Sequence, residues 1–469
     1  MTHHDYDRLE DWLRANRARH LEELFDLLRI PSVSTSPAHR ADVLRCAEHV
    51  RDRVAELGLT ARVMPTDGYP VVYGEWLGAP GAPTVLIYGH YDVQPAEPLE
   101  LWRSPPFEPT LEDGTRIVAR GATDDKGQFY CYLKGIEAHM RVRGALPCNV
   151  RVIIEGEEEI GSPNLRPFLE RHRELLQADA ILVSDTSMHG PDQPSIMYAL
   201  RGLAYLEVTV RGPSHDLHSG LYGGAVPNPI HALAGMLAAL HDADGRVCVP
   251  GFHDRVRSLS DAERAEMAAL AGDEQAFCAE VGIPFSTGEA GYNHLERTTA
   301  RPTLECNGIW GGWTGDGAKT VLPSLAHAKI SCRLVADQDP DEITSLVADH
   351  LRRIAPPGVE VDVRPHHGGR PYTASREGVA VQAAGRALEH VWGRPPVFTR
   401  GGGSIPIVAD FRDVLGLDTV LVGFGLTDDR LHSPNEKFEL RNYEQGIRTT
   451  CRLLEELGRG AAAGPGEAG

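Results

Sequence analysis

The chain has 469 residues, enough for about two or three domains of ordinary size. No apolar run approaches the ~18–20 residues of a membrane span, so no membrane partner is expected. The formal charge of −19 excludes a surface built for a phosphate backbone, and with it a nucleic-acid partner; part of that acidity is available to a metal site, where carboxylates are ligands.

The N-terminal stretch MTHHDYDRLEDWLRANRARHLEEL is charged throughout and lacks an apolar h-region. No signal peptide is expected, and the expected compartment is the cytoplasm. Eight cysteines are scattered without a CxxC pair, which reads as reduced thiols rather than a disulfide framework or zinc ribbon. Apolar spacing over 6–29 (Leu9, Trp12, Leu13, Leu21, Leu24, Phe25, Leu28) predicts a helix, ended by Pro31. From 71 to 185, strands and helices alternate. PTVLIYG (83–89) reads as a buried strand, 126–144 as a helix, NVRVIIEG (149–156) as a strand, 162–176 as a helix and ADAILVSD (178–185) as a strand. That alternation implies a largely parallel sheet with helices on both faces.

After 200 the texture changes. LAYLEVTVRG (203–212) alternates as a half-buried strand, a helix follows at about 228–242, then a strand at 325–335, a helix at 339–355 and the strand VEVDVRP (359–365). This order predicts a small α+β domain, residues 200–373, inserted into the larger one; residues 245–320 read as loop-rich. The first pattern resumes with a helix at 376–393, the strand DTVLVGFG (418–425) and a last helix at about 442–459. The tail from about 460 is expected to be disordered. The expected fold class is α/β, with a catalytic domain in two parts, 1–199 and 374–469, around the insertion.

In an open α/β sheet, ligands bind beyond the carboxyl ends of the strands. Polar residues collect at those ends here: His90 and Asp92, then Glu157, Glu158 and Glu159, then Asp185, then His432 in LHSPNEK. Asp124 and Asp125 lie in GATDDKG, just before the helix at 126. Taken singly, each has an ordinary explanation. A loop histidine is solvated, a Glu triplet is an exposed charged face, and an Asp pair before a helix is an N-cap favoured by the dipole. Together, at one edge of one sheet, they would repel each other without a cation. Two divalent ions would neutralise them, and the N/O ligand set suits zinc best. Two other motifs fall away: in GGWTGDGAKT (311–320) Ala318 stands where a phosphate loop needs glycine, and no GxSxG elbow is present.

Five motifs in order, GHYDVQP, GATDDKG, EGEEEIGS, LVSD and LHSPNEK, resemble those of the di-zinc metallopeptidases of the aminoacylase/carboxypeptidase-G2/succinyl-diaminopimelate desuccinylase clan. DLHSGLYGG, GAKTVLP, ISCRLV and RGGGSIP are similar to its carnosinase-like cytosolic dipeptidase branch. The resemblance spans nearly the whole chain. It implies a zinc-peptidase sheet with helices on both faces and an inserted lid and dimerisation domain. It also implies two Zn2+ per subunit, with Mn2+ or Co2+ as substitutes: Asp124 bridges both, His90 and Asp185 complete one site, and Glu159 and His432 complete the other. Glu158 is implied as general base and Asp92 as the residue that orients His90. The Asp124–Asp125 peptide is expected to be cis. The Glu triplet leaves its register ambiguous; the GS that follows places base and ligand at Glu158 and Glu159.

The resemblance further implies that His218 in DLHSG donates to the developing oxyanion across a homodimer interface. Arg333, Thr320 and Ser404, with the glycines 401–403, are implied to hold a substrate carboxylate. Arg333 read on its own is a strand arginine paired with a surface acid, and Ser404 a helix N-cap. The implied activity is hydrolysis of dipeptides or short peptides with a free C-terminal carboxylate, by metal-activated water. An N-acyl-amino-acid or carbamoyl amidohydrolase would use the same residues, its pocket shaped by 285–320 with Trp310 and Trp313. A non-catalytic metal- or peptide-binding protein is the remaining alternative, against which the presence of Glu158 and Asp92 counts.

Overall fold

The computed structural model describes residues 3–403 and 405–460. Ser404 and the expected disordered tail from 461 lie outside the described residues. The chain divides into two compact units: one runs to Tyr198 and takes in Ala374–Thr399 and the chain from Asp410; the other is Ala199–Thr373 with Arg400–Ala409.

The first unit is built on a mixed sheet. Its strands run in the spatial order Thr60–Met64, Val71–Trp76, Asn149–Glu155, Thr84–His90, Ala180–Val183, Thr419–Leu421, Ser195–Leu200. The middle of the sheet is parallel: Thr84–His90 pairs in parallel with both neighbours, and Ala180–Val183 with Thr419–Leu421. The flanks are antiparallel. The sequence expectation of a largely parallel sheet therefore holds for the centre only. Thr60–Met64 and Val71–Trp76 are joined by a short link, which permits only antiparallel pairing; parallel neighbours need a crossover.

Helix Lys126–Arg143 packs on Thr84–His90 and under the helices His3–Leu28 and Leu440–Gly460. Every residue from Lys126 to His139 is buried. A helix enclosed on all sides shows no amphipathic stripe, and glycines 127 and 135 fit that crowding. The helix read over 162–176 is shorter, Leu165–Arg171. Ser162 has a positive φ of 50°, a left-handed conformation from which a right-handed helix cannot start.

The second unit holds a four-stranded antiparallel sheet in the order Thr303–Gly311, Leu325–Leu334, Gly202–Arg211, Glu360–Gly369. Alternate residues of the two inner strands (Leu206, Val208, Val210; Ala328, Ile330, Cys332) form its core. Helices Pro229–Ala238 and Pro340–Ile354 cover them, the latter through Ile343, Val347 and Leu351 at four-residue spacing. Asp339 caps that helix by accepting the N–H groups of Asp341 and Glu342.

The 245–320 segment is more ordered than its composition suggests. It contains the helices Asp261–Ala271, Glu274–Val281 and His294–Thr299 and the edge strand Thr303–Gly311. Ser260 with Glu263, and Asn293 with Glu296, form capping boxes. The strand TLECNGIWG was illegible because it lies at a sheet edge, where most of its residues are exposed and no alternation is imposed.

Candidate metal centre

The parallel pairing sets the ends of three strands side by side, with His90 opposite Glu155 and Tyr88 opposite Val183. His90 ends its strand and is fully buried. Glu158 and Glu159 form a short turn just past Glu155, and Asp185 lies two residues past Val183. Asp124 enters from the loop ahead of helix Lys126–Arg143. That loop comes very close to the strand. A Cβ on Gly89 would sit 2.5 Å from Cβ of Phe129 and 2.9 Å from Oδ2 of Asp125, so only glycine fits before His90. The Asp124–Asp125 peptide is cis, as the resemblance implied. His432 comes from the loop after Thr419–Leu421, with a φ of 58° and a side chain 54% exposed.

Asp124 stands at the middle of this arrangement. Its Oδ1 is 3.1 Å from Nε2 of His90 and its Oδ2 2.8 Å from Nε2 of His432. The latter nitrogen is also 3.3 Å from Oε2 of Glu159. Nε2 of His90 is 3.9 Å from Oδ2 of Asp185. Two groups of donor atoms result, each within 4.8 Å: His90, Glu158 and Asp185, and Asp124, Glu159 and His432. Glu158 thus lies at ligand range of the first group. Two imidazoles and four carboxylates in two adjoining trios are a donor set for divalent cations, and the mixture of nitrogen and oxygen fits zinc.

The electrostatics agree with that fit. Burial pushes the Glu158 carboxyl well above the usual range. Burial and the Asp124 charge raise Asp185 to about 7. Burial would lower His90, but hydrogen bonds to Asp124 and Asp92 hold it well above an ordinary imidazole. Hydrogen bonds to Asp124 and Glu159 raise His432 to about 10. Asp124 is held well below the carboxylate range by His432 and His90, against its burial. Each of these shifts favours added positive charge among the carboxylates, which divalent cations would supply.

The surroundings fix these side chains. Nδ1 of His90 lies 3.1 Å from the carbonyl oxygen of Asp92, which leaves Nε2 for a metal. The Asp92 carboxylate accepts the N–H of Glu158 (3.2 Å) on one oxygen and that of Glu159 (3.1 Å) on the other. The triplet divides: Glu157 turns away from the centre, accepting the N–H of Tyr69 and the side-chain amide of Asn164. Asp125 precedes the helix without capping it; its Oδ2 accepts the N–H of His90 at 3.3 Å. Sequence reasoning passed over Gln94, whose amide donates to Oε2 of Glu159 at 2.9 Å. A signal was available: 90, 92 and 94 share the two-residue period of an extended chain.

The remaining expected residues belong to the second unit. His218 pairs opposite Val321, and the Thr320 carbonyl accepts the N–H of Ser219 at 3.1 Å, so His218 and Thr320 are neighbours. His218 is exposed, and its Nδ1 accepts the N–H of Gly220. Arg333 is half-buried in Leu325–Leu334, between Leu203 and Thr303 of the adjacent strands. Arg201, which sequence reasoning missed, feels it: burial and the Arg333 charge lower Arg201 to about 10. Arg201 also donates to the Gly402 carbonyl at 2.8 Å.

A mixed α/β unit with two adjoining N/O donor trios at its strand ends defines a metallopeptidase of dinuclear type. The model of Peptidase family M20/M25/M40 matches residues 86–456, and the chain belongs to that family; it is a metallo-exopeptidase. It is 32% identical to the Cys-Gly metallodipeptidase of Schizosaccharomyces pombe, covering 96% of this chain and 98% of that one. The human Beta-Ala-His dipeptidase is 31% identical, covering 91% and 87%. Among solved structures, the dipeptidase Dug1p of Saccharomyces cerevisiae superposes with a TM-score of 0.82 at 29% identity, covering 98% and 99%. A metallo-carboxypeptidase from Sulfolobus solfataricus gives 0.83 at 32% identity, covering 94% and 99%.

Proposed function

We propose that this metallo-exopeptidase hydrolyses dipeptides, or short peptides with a free C-terminal carboxylate, at a two-zinc centre with Glu158 as general base. The observation that carries the reading is Asp124, with one carboxylate oxygen on each of two histidines. Two divalent cations would be held by these residues, one by His90 and Asp185 and one by Glu159 and His432, with Asp124 a donor to both. Divalent ions held there supply Lewis acidity, polarising a carbonyl and acidifying water. Glu158 takes the proton from the attacking water and returns it to the leaving amine.

The second unit supplies recognition in this reading. Arg333 and Arg201 concentrate positive charge for the substrate carboxylate, with Thr320 and Ser404 as its hydrogen-bonding partners. His218 donates to the oxyanion as it develops, across the interface of a homodimer. Leu221, Tyr222, Ile309, Trp310 and Trp313 of the same unit are exposed, and large apolar side chains left on the surface support such an interface. The protein acts in the cytoplasm; eight free cysteines suit a reducing compartment.

The test uses Cys-Gly and β-Ala-His, the same dipeptides with an amidated C-terminus, and an N-acetyl amino acid. The free dipeptides are cleaved, chelation abolishes cleavage and Zn2+ or Mn2+ restores it. Amidation raises KM. Cleavage that survives complete metal removal, or faster turnover of the N-acetyl amino acid, overturns the proposal.

A further inference from the structure

His432 poses a mechanical problem. It stands in a loop, more than half exposed and at positive φ, whereas a ligand has to be held to a fraction of an ångström. Its flanks give the answer. Asp429, three residues before, and Glu436, four residues after, are both completely buried.

Glu436 reaches into the loop that carries Asp124. Its Oε1 accepts the N–H groups of Thr123 (2.9 Å) and of Asp124 itself (3.1 Å). Its Oε2 accepts the N–H of Gly121 (3.0 Å) and the guanidinium of Arg120 (2.7 Å). The Glu436 carbonyl in turn accepts the N–H of Ala119. Arg120 is 1% exposed, donates a second bond to the Pro95 carbonyl at 3.0 Å and stacks over Trp102. Asp429 closes its own loop by accepting the N–H of Leu426 (2.7 Å) and the ammonium of Lys437 (2.6 Å). The Thr123 hydroxyl donates to the Lys437 carbonyl at 2.6 Å.

Four donors converge on the two oxygens of Glu436. Only a carboxylate accepts all four; an amide presents one oxygen and turns an NH2 donor toward the other pair. More than 300 residues of chain separate the two loops it joins.

We propose that Glu436 is a positioning residue of the metal centre. Its carboxylate ties the backbone of Asp124 to the loop presenting His432, so that one buried group sets the spacing of these two ligands. The inference rests on the two-metal reading given above.

The test is a Zn2+ titration against a competing chelator, together with the exchange-coupled spin signal of the Mn2+-loaded protein. Glu436→Gln weakens Zn2+ binding about 10–100-fold at one of the two sites and diminishes the coupled Mn2+ signal. It also leaves Arg120 buried without its partner, which lowers the melting temperature. The double variant Arg120→Met/Glu436→Gln removes that unpaired charge. It regains melting temperature while Zn2+ binding and the Mn2+ signal stay impaired, and it is the decisive protein if the single variant does not fold. Zn2+ affinity that recovers together with stability shows that Glu436 merely balances Arg120 and overturns the proposal. His432→Ala, measured alongside, separates the two layers of the argument. If it binds both Zn2+ ions normally, the metal-centre reading fails; if it loses one and the Glu436 variants lose none, only the positioning role falls.

Discussion

Asp92→Asn is the sharpest test of how the centre is held. The residue is completely buried, and each carboxylate oxygen accepts one backbone N–H, from Glu158 and from Glu159. An asparagine keeps one oxygen acceptor and turns an NH2 group toward the other N–H. One hydrogen bond to a charged group is lost, about 1.5–3 kcal/mol, and a buried donor is left unsatisfied, about 1–3 kcal/mol more. Relaxation of the turn recovers part of this, so a net penalty of about 2–4 kcal/mol is expected, or about 30- to 1,000-fold at 1.4 kcal/mol per decade. Because Asp92 also contacts Nδ1 of His90, the penalty is shared between metal affinity and turnover. The assay is kcat/KM on Cys-Gly at saturating Zn2+, with metal content and melting temperature measured on the same preparation. A kcat/KM within about three-fold of the unaltered protein at full metal occupancy refutes the reasoning, since it means the two N–H bonds do not position Glu158 and Glu159.

Glu158→Gln keeps both metals and lowers kcat by about 10²–10⁴-fold; metal analysis and steady-state kinetics check it, and unchanged turnover means the base is another residue. The buried histidines give a pH prediction remote from the centre. Burial lowers His139, whose Nε2 donates to the Cys451 carbonyl, to about 4, and burial with the nearby Lys134 charge lowers His20 likewise to about 4. Unfolded histidine titrates near 6.5, so between pH 6.5 and about 4 the unfolded chain binds more protons. Their contribution is complete above pH 6.5 and is lost as pH falls toward 4, on the order of 2 kcal/mol per histidine by pH 5. His139→Gln flattens the fall in melting temperature between pH 7.5 and 5; an unchanged slope rules His139 out as a source.

What the sequence made legible was whatever a single segment decides. The strand ends were readable because buried runs such as PTVLIYG stop abruptly at polar residues. The central parallel strands and the enclosed helix at 126 followed from the same alternation. Long-range partners decided what was not readable. Apart from the spacing to the GS that follows, nothing local distinguishes Glu157 from Glu158 and Glu159; its removal from the centre depends on Tyr69, 88 residues away. Glu436 looks like one more polar residue of LHSPNEK until Thr123 and Asp124 are brought to it. The antiparallel flanks of the large sheet depend on which strands meet, and Thr303–Gly311 escaped because an edge strand is not obliged to alternate.

Asp92 and Glu436 show why such partners matter. Each is a buried carboxylate that spends both oxygens on backbone N–H groups of a segment carrying an expected ligand or the proposed base. The side chains of Asp124, Glu158 and Glu159 are among the donors of the centre, so their backbone is held from behind, and two oxygens hold two points. Their charges are settled differently. Glu436 meets Arg120 at 2.7 Å, so the centre feels its geometry more than its charge. Asp92 has Nδ1 of His90, the expected ligand, 3.4 Å from its Oδ1, so its charge would also bear on how strongly that imidazole binds a metal. A neutral replacement at Asp92 therefore perturbs both the electronics and the alignment of the centre, whereas one at Glu436 acts through alignment once Arg120 is also neutralised. The two variants should separate in their pattern of metal loss even where their effects on turnover are alike.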